Sequence, residues 1–183
     1  ENEALAFIKE EAGFADVKAV LDGARQILME VFAEDALLLG QLRAYLETHG
    51  IVKSTVLESK NEEGAKFFDY FDYQENLLKI PSHRALALFR GRNEGFLQVS
   101  LCLDSEVDET QKSTAPNFCE LTIAKRFGIQ NNNRAADKWL ADTVRFAWRV
   151  KIFAHLELDL MGALRERAEE EAIKVFGANL KDL

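Results

Sequence analysis

The stretch RAADKWLADTVRFAWRVKIF, Arg134 to Phe153, constrains the fold more than any other. Its apolar residues Trp139, Leu140, Val144, Phe146, Ala147, Trp148, Val150 and Phe153 cover most of a helix circumference. That pattern predicts a helix running through the middle of the structure, with other elements packed around it. Only Arg134, Lys138, Asp142, Arg145 and Arg149 form a polar stripe, at spacings of three and four that place them on one face. The preceding QNNN predicts an asparagine N-cap near Asn133. A central helix needs a core to sit in. With 183 residues, 48% of them apolar, the chain can bury roughly 70% of its unfolded surface. It suits one helical domain over 1–183, or two packed subregions of about 1–104 and 116–183.

The remainder reads as mainly α, in helical hairpins, with a small antiparallel β element. Val17, Val20, Leu21, Ala24, Ile27, Leu28, Val31 and Phe32 recur at helical spacing behind Asp16, a candidate N-cap. A second helix carries Leu38, Leu42, Tyr45 and Leu46 and ends at THG, where Gly50 suits a left-handed C-terminal position. Segments of about 51–58 and 96–103 are β-branched or alternate apolar and polar residues, and predict a pair of antiparallel strands. Between them, Pro81 starts a short helix that Ser82 caps and Gly91 closes, and GRNEG with Gly95 turns into the next strand. Past the polar loop VDETQKSTAPN, a helix from about Phe118 to Phe127 stops at Gly128. The last helix begins near Asp159, with Leu160, Leu164, Ala168, Ala172 and Phe176 facing inwards.

Charge is distributed unevenly. The net charge is -8, yet Lys79, His83, Arg84, Arg90 and Arg92 lie in a region with no acid from Asn76 to Asn93. A cation in the first turn of a helix meets the positive end of the macrodipole, so Arg84 calls for an anion. An internal solution pairs it with Asp69 or Asp72 of FDYFDY; an external one places a phosphate there, with Lys79 assisting. Arg90 and Arg92 flank a glycine and are candidates for phosphate contact, or, for a surface arginine, for pairing with Glu94. The stripe Arg134, Lys138, Arg145, Arg149 is a second candidate nucleic-acid surface, or a salt-bridged face beside the acidic last helix. The aromatic residues Phe67, Phe68, Tyr70, Phe71 and Tyr73 suit either a local core or base stacking.

No pattern points to catalysis or to a cofactor. The chain has no phosphate-binding glycine loop, nucleophile elbow or HExxH zinc motif. His155, Glu157 and Asp159 are spaced by two, which turns them to different faces of a helix, so no metal is expected. Cys102 and Cys119 form no disulfide framework, no apolar run approaches the ~20 residues that span a bilayer, and the first residues lack the pattern of a secretory signal. The expectation is a cytoplasmic protein without membrane contact.

The words GAKFFDYFDYQENLLKIPSHRALALFRGRNEG, Gly64 to Gly95, closely resemble the signature of the bacterial Tex proteins, a transcription accessory family. FADVKAVLDGARQILMEVFAED, NNNRAADKWLADTV and RERAEEEAIKVFGANLKDL resemble it on either side, so the resemblance covers nearly the whole chain. KEEAGF, Lys9 to Phe14, departs from the family's proline-containing approach to the first helix. The resemblance implies a fragment of a longer protein, with an RNase-H-like domain, helix-hairpin-helix elements and an OB-type RNA-binding domain further on. It implies a non-enzymatic N-terminal scaffold that positions RNA-binding domains and contributes a weak helix-turn-helix-like surface for RNA or DNA. The alternative is a module that docks onto the transcription machinery without touching nucleic acid.

Overall fold

The computed structural model describes residues 2–57, 64–106 and 115–181. It is mainly α with one small antiparallel sheet. The helices are α1 (Val17–Glu34), α2 (Ala36–His49), α3 (Ser82–Asn93), α4 (Phe118–Arg126), α5 (Asp137–Ala147) and α6 (Phe153–Lys181), and the strands are β1 (Gly50–Val56), β2 (Asp72–Asn76) and β3 (Leu97–Leu103). The chain divides into two compact units, Glu1–Leu42 with Ala115–Ala154 and Arg43–Thr114 with His155–Leu183.

In the first unit α1 packs on α5, and Asp16 caps α1 by accepting the Ala19 N–H at 2.7 Å. The α1 stripe is narrower than its spacing predicts. Met29 and Phe32 are buried, whereas Ile27 and Val31 face water. Phe32 meets Phe127 with ring centroids 4.6 Å apart, and Leu38, Leu42, Cys119, Ile123, Val144, Ala147, Trp148 and Ile152 complete the core. Full burial of each large side chain among them contributes about 1.5–3 kcal/mol.

The central helix is real but differs in two ways from its prediction. Phe146 and Val150 are exposed, so its apolar coat is incomplete. There is also no break before the last helix: a π turn at Trp148–Ile152 joins α5 to α6, and the backbone stays helical from Asp137 to Lys181. Wide turns of this kind are usually single-turn bulges within longer α-helices. The entry into α5 is not an asparagine cap either. Asn133 stands at φ 58°, and the Asp137 carboxylate gathers the turn by accepting the N–H groups of Asn132 (2.7 Å) and Arg134 (3.0 Å).

The second unit is built on a sheet of order β2-β1-β3. β1 pairs antiparallel with β3, Val52 opposite Leu101, as the sequence predicts, and also with β2, Ser54 opposite Tyr73. β2 (DYQEN) has no apolar alternation, and its strand conformation comes from pairing with β1. Val52, Leu97, Leu101 and Leu103 are buried, together with Leu88 and Phe89 of α3 and Leu156, Leu160, Leu164 and Ala168 of α6. Ala172 and Phe176 do not continue that stripe; both are exposed. Gly50 opens β1 and has no left-handed geometry, whereas Gly128, beyond α4, does, at φ 64°.

α3 departs from expectation at both ends. Its N-terminal residue is preceded by Pro81 in extended conformation, and no side chain caps it. Ser82 instead gives its hydroxyl to Glu171 of α6. At the other end the helix runs through Gly91 to Asn93, and the left-handed position falls on Gly95, φ 78°.

Candidate nucleic-acid interface

The basic island of the sequence is a set of separate environments. Arg84, in the first turn of α3, lies over the Tyr73 ring, 5.7 Å from its centroid. Neither Asp69 nor Asp72 reaches it; both are exposed, so the internal carboxylate pair is replaced by an aromatic face. Pairing of β2 with β1 produces this, because it sets Tyr73 in the sheet. Lys79 lies exposed in the turn after β2, held through its backbone N–H to Asn76.

The far end of α3 is more concentrated. A short 3-10 helix, Ala65–Tyr70, packs there through Phe67, which is buried. Gly91 permits the approach: a Cβ at that position would lie 2.4 Å from Leu97 Cδ1 and 3.3 Å from the Phe67 ring. The docking brings Lys66 to Glu94, and Glu94 also accepts from Arg90 Nε at 2.7 Å. These two cations, Lys66 first, hold the Glu94 carboxyl below the ordinary carboxylate range. Arg92 lies 5.1 Å from the centroid of the Phe89 ring. Lys66 and Arg90 therefore share a single acid, with the Arg90 side chain 69% exposed.

The stripe of α5 is divided rather than continuous. Arg134 precedes α5 and pairs with Asp137 at 2.8 Å, while Lys138 is exposed in its first turn. Backbone donation from Arg134 and its guanidinium keep the Asp137 carboxyl below its usual value. Arg145 and Arg149 converge elsewhere, each bringing Nε to 3.8 Å from the carboxylate of Glu120, which is 3% exposed. Glu120 belongs to α4, not to the acidic last helix, and closes a capping box with Asn117. Its Oε1 is buried without a hydrogen bond. The Asn117-x-x-Glu120 spacing is a readable helix-start signal; the burial of Glu120 beneath two arginines is not.

The three residues weighed as metal ligands have separate tasks or none in common: Glu157 accepts the Leu101 N–H at 2.8 Å, and Asp159 pairs with Arg43. Among the described residues, no group of three or more His, Cys, Asp or Glu could hold a metal ion, and no helix is long and apolar enough to cross a membrane.

Residues 1–176 match the Tex central region-like family. The chain belongs to that family. It is 53% identical over 180 residues to Protein YhgF of Escherichia coli, covering 98% of this chain and 23% of that protein. It is 49% identical over 168 residues to the transcriptional accessory protein Tex of Neisseria gonorrhoeae, covering 92% and 21%. The human S1 RNA-binding domain-containing protein 1 is more distant, 26% identical over 187 residues, with 98% and 18% covered. The chain thus spans about a fifth of the length of the curated relatives it matches.

Proposed function

We propose that this segment is the N-terminal scaffold of a Tex-like transcription accessory protein in the cytoplasm. In this reading it positions RNA-binding parts of a longer protein and adds a weak nucleic-acid surface of its own. No reaction is assigned to it. The reading rests chiefly on 49% identity to a protein named as a transcriptional accessory protein. The name of the human relative, which carries an S1 RNA-binding domain, supports RNA as the partner.

Within the segment, Arg90 and Arg92 support a phosphate contact because both are exposed at the end of α3, where Arg90 shares one acid, Glu94, with Lys66. Lys79 and Arg84 would extend that contact along α3. The α4–α5 pair is where a helix-turn-helix-like surface would be built, through Arg145 and Arg149, with Lys138 and Arg134 at its edge. Against a net charge of -8, such contacts support only weak binding, with a Kd no tighter than roughly 10⁻⁴ to 10⁻⁶ M at physiological salt.

A second reading, docking onto the transcription machinery, is favoured by the exposed Ile173, Val175 and Phe176 on α6. Gel shifts of the 183-residue chain beside a full-length protein separate the two. Retention of single-stranded RNA by the chain, weakening steeply with salt, supports the first; no retention at low salt supports the second.

A further inference from the structure

In the first unit, one face of α1 lines an open cleft of about 490 Å³. Val17, Lys18, Leu21, Asp22 and Arg25 lie along it at spacings of three and four, so a single helix face supplies both apolar floor and charge. Leu5, on a short 3-10 helix (Ala4–Phe7) packed on α1, and Trp139 of α5 complete the walls. The volume falls within the ~300–1,000 Å³ of small-molecule sites.

Arg25 decides what such a cleft would take. Its guanidinium carbon lies 5.8 Å from the centroid of the Trp139 ring and 5.9 Å from that of Phe146, and its Nε donates to Thr143 Oγ1 at 3.4 Å. Thr143 is itself buried and gives its own hydroxyl proton to the Trp139 carbonyl at 2.8 Å. Two rings and a hydroxyl thus hold the guanidinium, and its terminal nitrogens are left to donate. Among the described residues Arg25 has no acid partner, whereas Arg126 and Arg134 of the same unit each pair with an aspartate. Lys18 forms no ion pair among the described residues either. A cation already ordered before its counter-ion arrives loses little further freedom on binding. Asp22 shares the face, so two cations and one carboxylate leave the cleft one net positive charge.

We propose that this cleft binds a small organic monoanion, a carboxylate on an apolar body, with its charge at Arg25 and Lys18 and its body against Leu5, Val17, Leu21 and Trp139. The site stands independently of the nucleic-acid reading. Arginine favours the carboxylate, which it meets through charge-assisted N–H bonds. The apolar walls favour a hydrocarbon body over a bare inorganic ion. Asp22 sets the upper limit on charge, because it repels a second negative group and so selects against doubly charged phosphates.

The test is a heteronuclear NMR titration of the 183-residue chain with phenylbutyrate at ~50 mM salt. The chain has two tryptophans, so its indole N–H signals report separately on the cleft, through Trp139, and on the core, through Trp148, which is 2% exposed. Trp139→Phe assigns the two. The Trp139 signal should move saturably with a Kd of ~1 mM while that of Trp148 stays in place. Lys18→Gln should weaken binding about threefold, and Asp22→Asn should tighten it about twofold. Both side chains are exposed, so circular dichroism should be unchanged in either variant. Tightening by Asp22→Asn is an outcome that damage to the fold would not produce. Phenylbutanol, the same body without the charge, should bind at least about threefold more weakly than phenylbutyrate. The absence of a saturable Trp139 shift overturns the site. Equal binding of the alcohol, or weaker binding by Asp22→Asn, overturns the charge assignment, and displacement by an equal concentration of inorganic phosphate overturns the monoanion with an apolar body.

Discussion

Leu97 Cδ1 occupies the space that a side chain on Gly91 would need, 2.4 Å from the position of its Cβ. Two effects oppose each other at this helical glycine. Alanine would gain about 1 kcal/mol of helix propensity, while overpacking a filled site costs about 1–3 kcal/mol. Leu97 is only 2% exposed and so has little room to move aside. Gly91→Ala should therefore destabilise by about 1–2 kcal/mol, read as a lower urea midpoint with unchanged m-value.

Glu120 gives a second stability prediction. Replacing it with alanine removes the capping box and leaves Arg145 and Arg149 beside each other without their shared acid. The expected loss is about 1–3 kcal/mol. Arg149→Ala should cost less than ~1 kcal/mol, because that side chain is 60% exposed. A double-mutant cycle between positions 120 and 149 tests the pair; additive effects would show that the arginine does not depend on the carboxylate.

Acid should weaken the fold through three carboxylates. Asp35 is held below its ordinary pKa first by the hydrogen bond from Arg126, Glu94 by Lys66 and then Arg90, and Asp137 by the Arg134 backbone and side chain. In each the folded value is the lower one, so around the ordinary values of 3.8 and 4.5 the unfolded chain binds more protons. Their contribution is full above that range and is lost as pH falls through the folded values. Urea midpoints should decline steeply between about pH 5 and pH 3. Asp137→Asn should flatten that decline while lowering the midpoint at pH 7; an identical acid limb in the variant would exclude Asp137 from it.

The sequence discloses the elements whose signal is local. Asp16 reads as a cap and is one, and the Leu97, Leu101 and Leu103 alternation reads as a strand face and is buried. What it withholds depends on partners distant in the chain. β2 is a strand because β1 pairs with it, although DYQEN has neither β-branched residues nor alternation. Ser82 suits an N-cap by type, yet its hydroxyl is taken by Glu171 of α6. The same limit applies to the candidate sites. Arg90 and Glu94 are four residues apart on a helix and their pairing is legible, whereas Arg84 turns to Tyr73, and Arg145 and Arg149 turn to Glu120, through packing that no local spacing encodes.

The most direct test of the nucleic-acid role is a salt titration of single-stranded RNA binding to the unmodified chain and to Arg90→Ala/Arg92→Ala. Each phosphate contact to a single strand contributes about 0.7 to the slope of log affinity against log salt. The double variant should therefore bind more weakly at ~50 mM salt and lose up to about 1.4 from that slope, with its far-ultraviolet circular dichroism unchanged. An unaltered slope and affinity in the variant, or no binding by the unmodified chain at ~50 mM salt, would contradict the role and leave the protein-docking reading in its place.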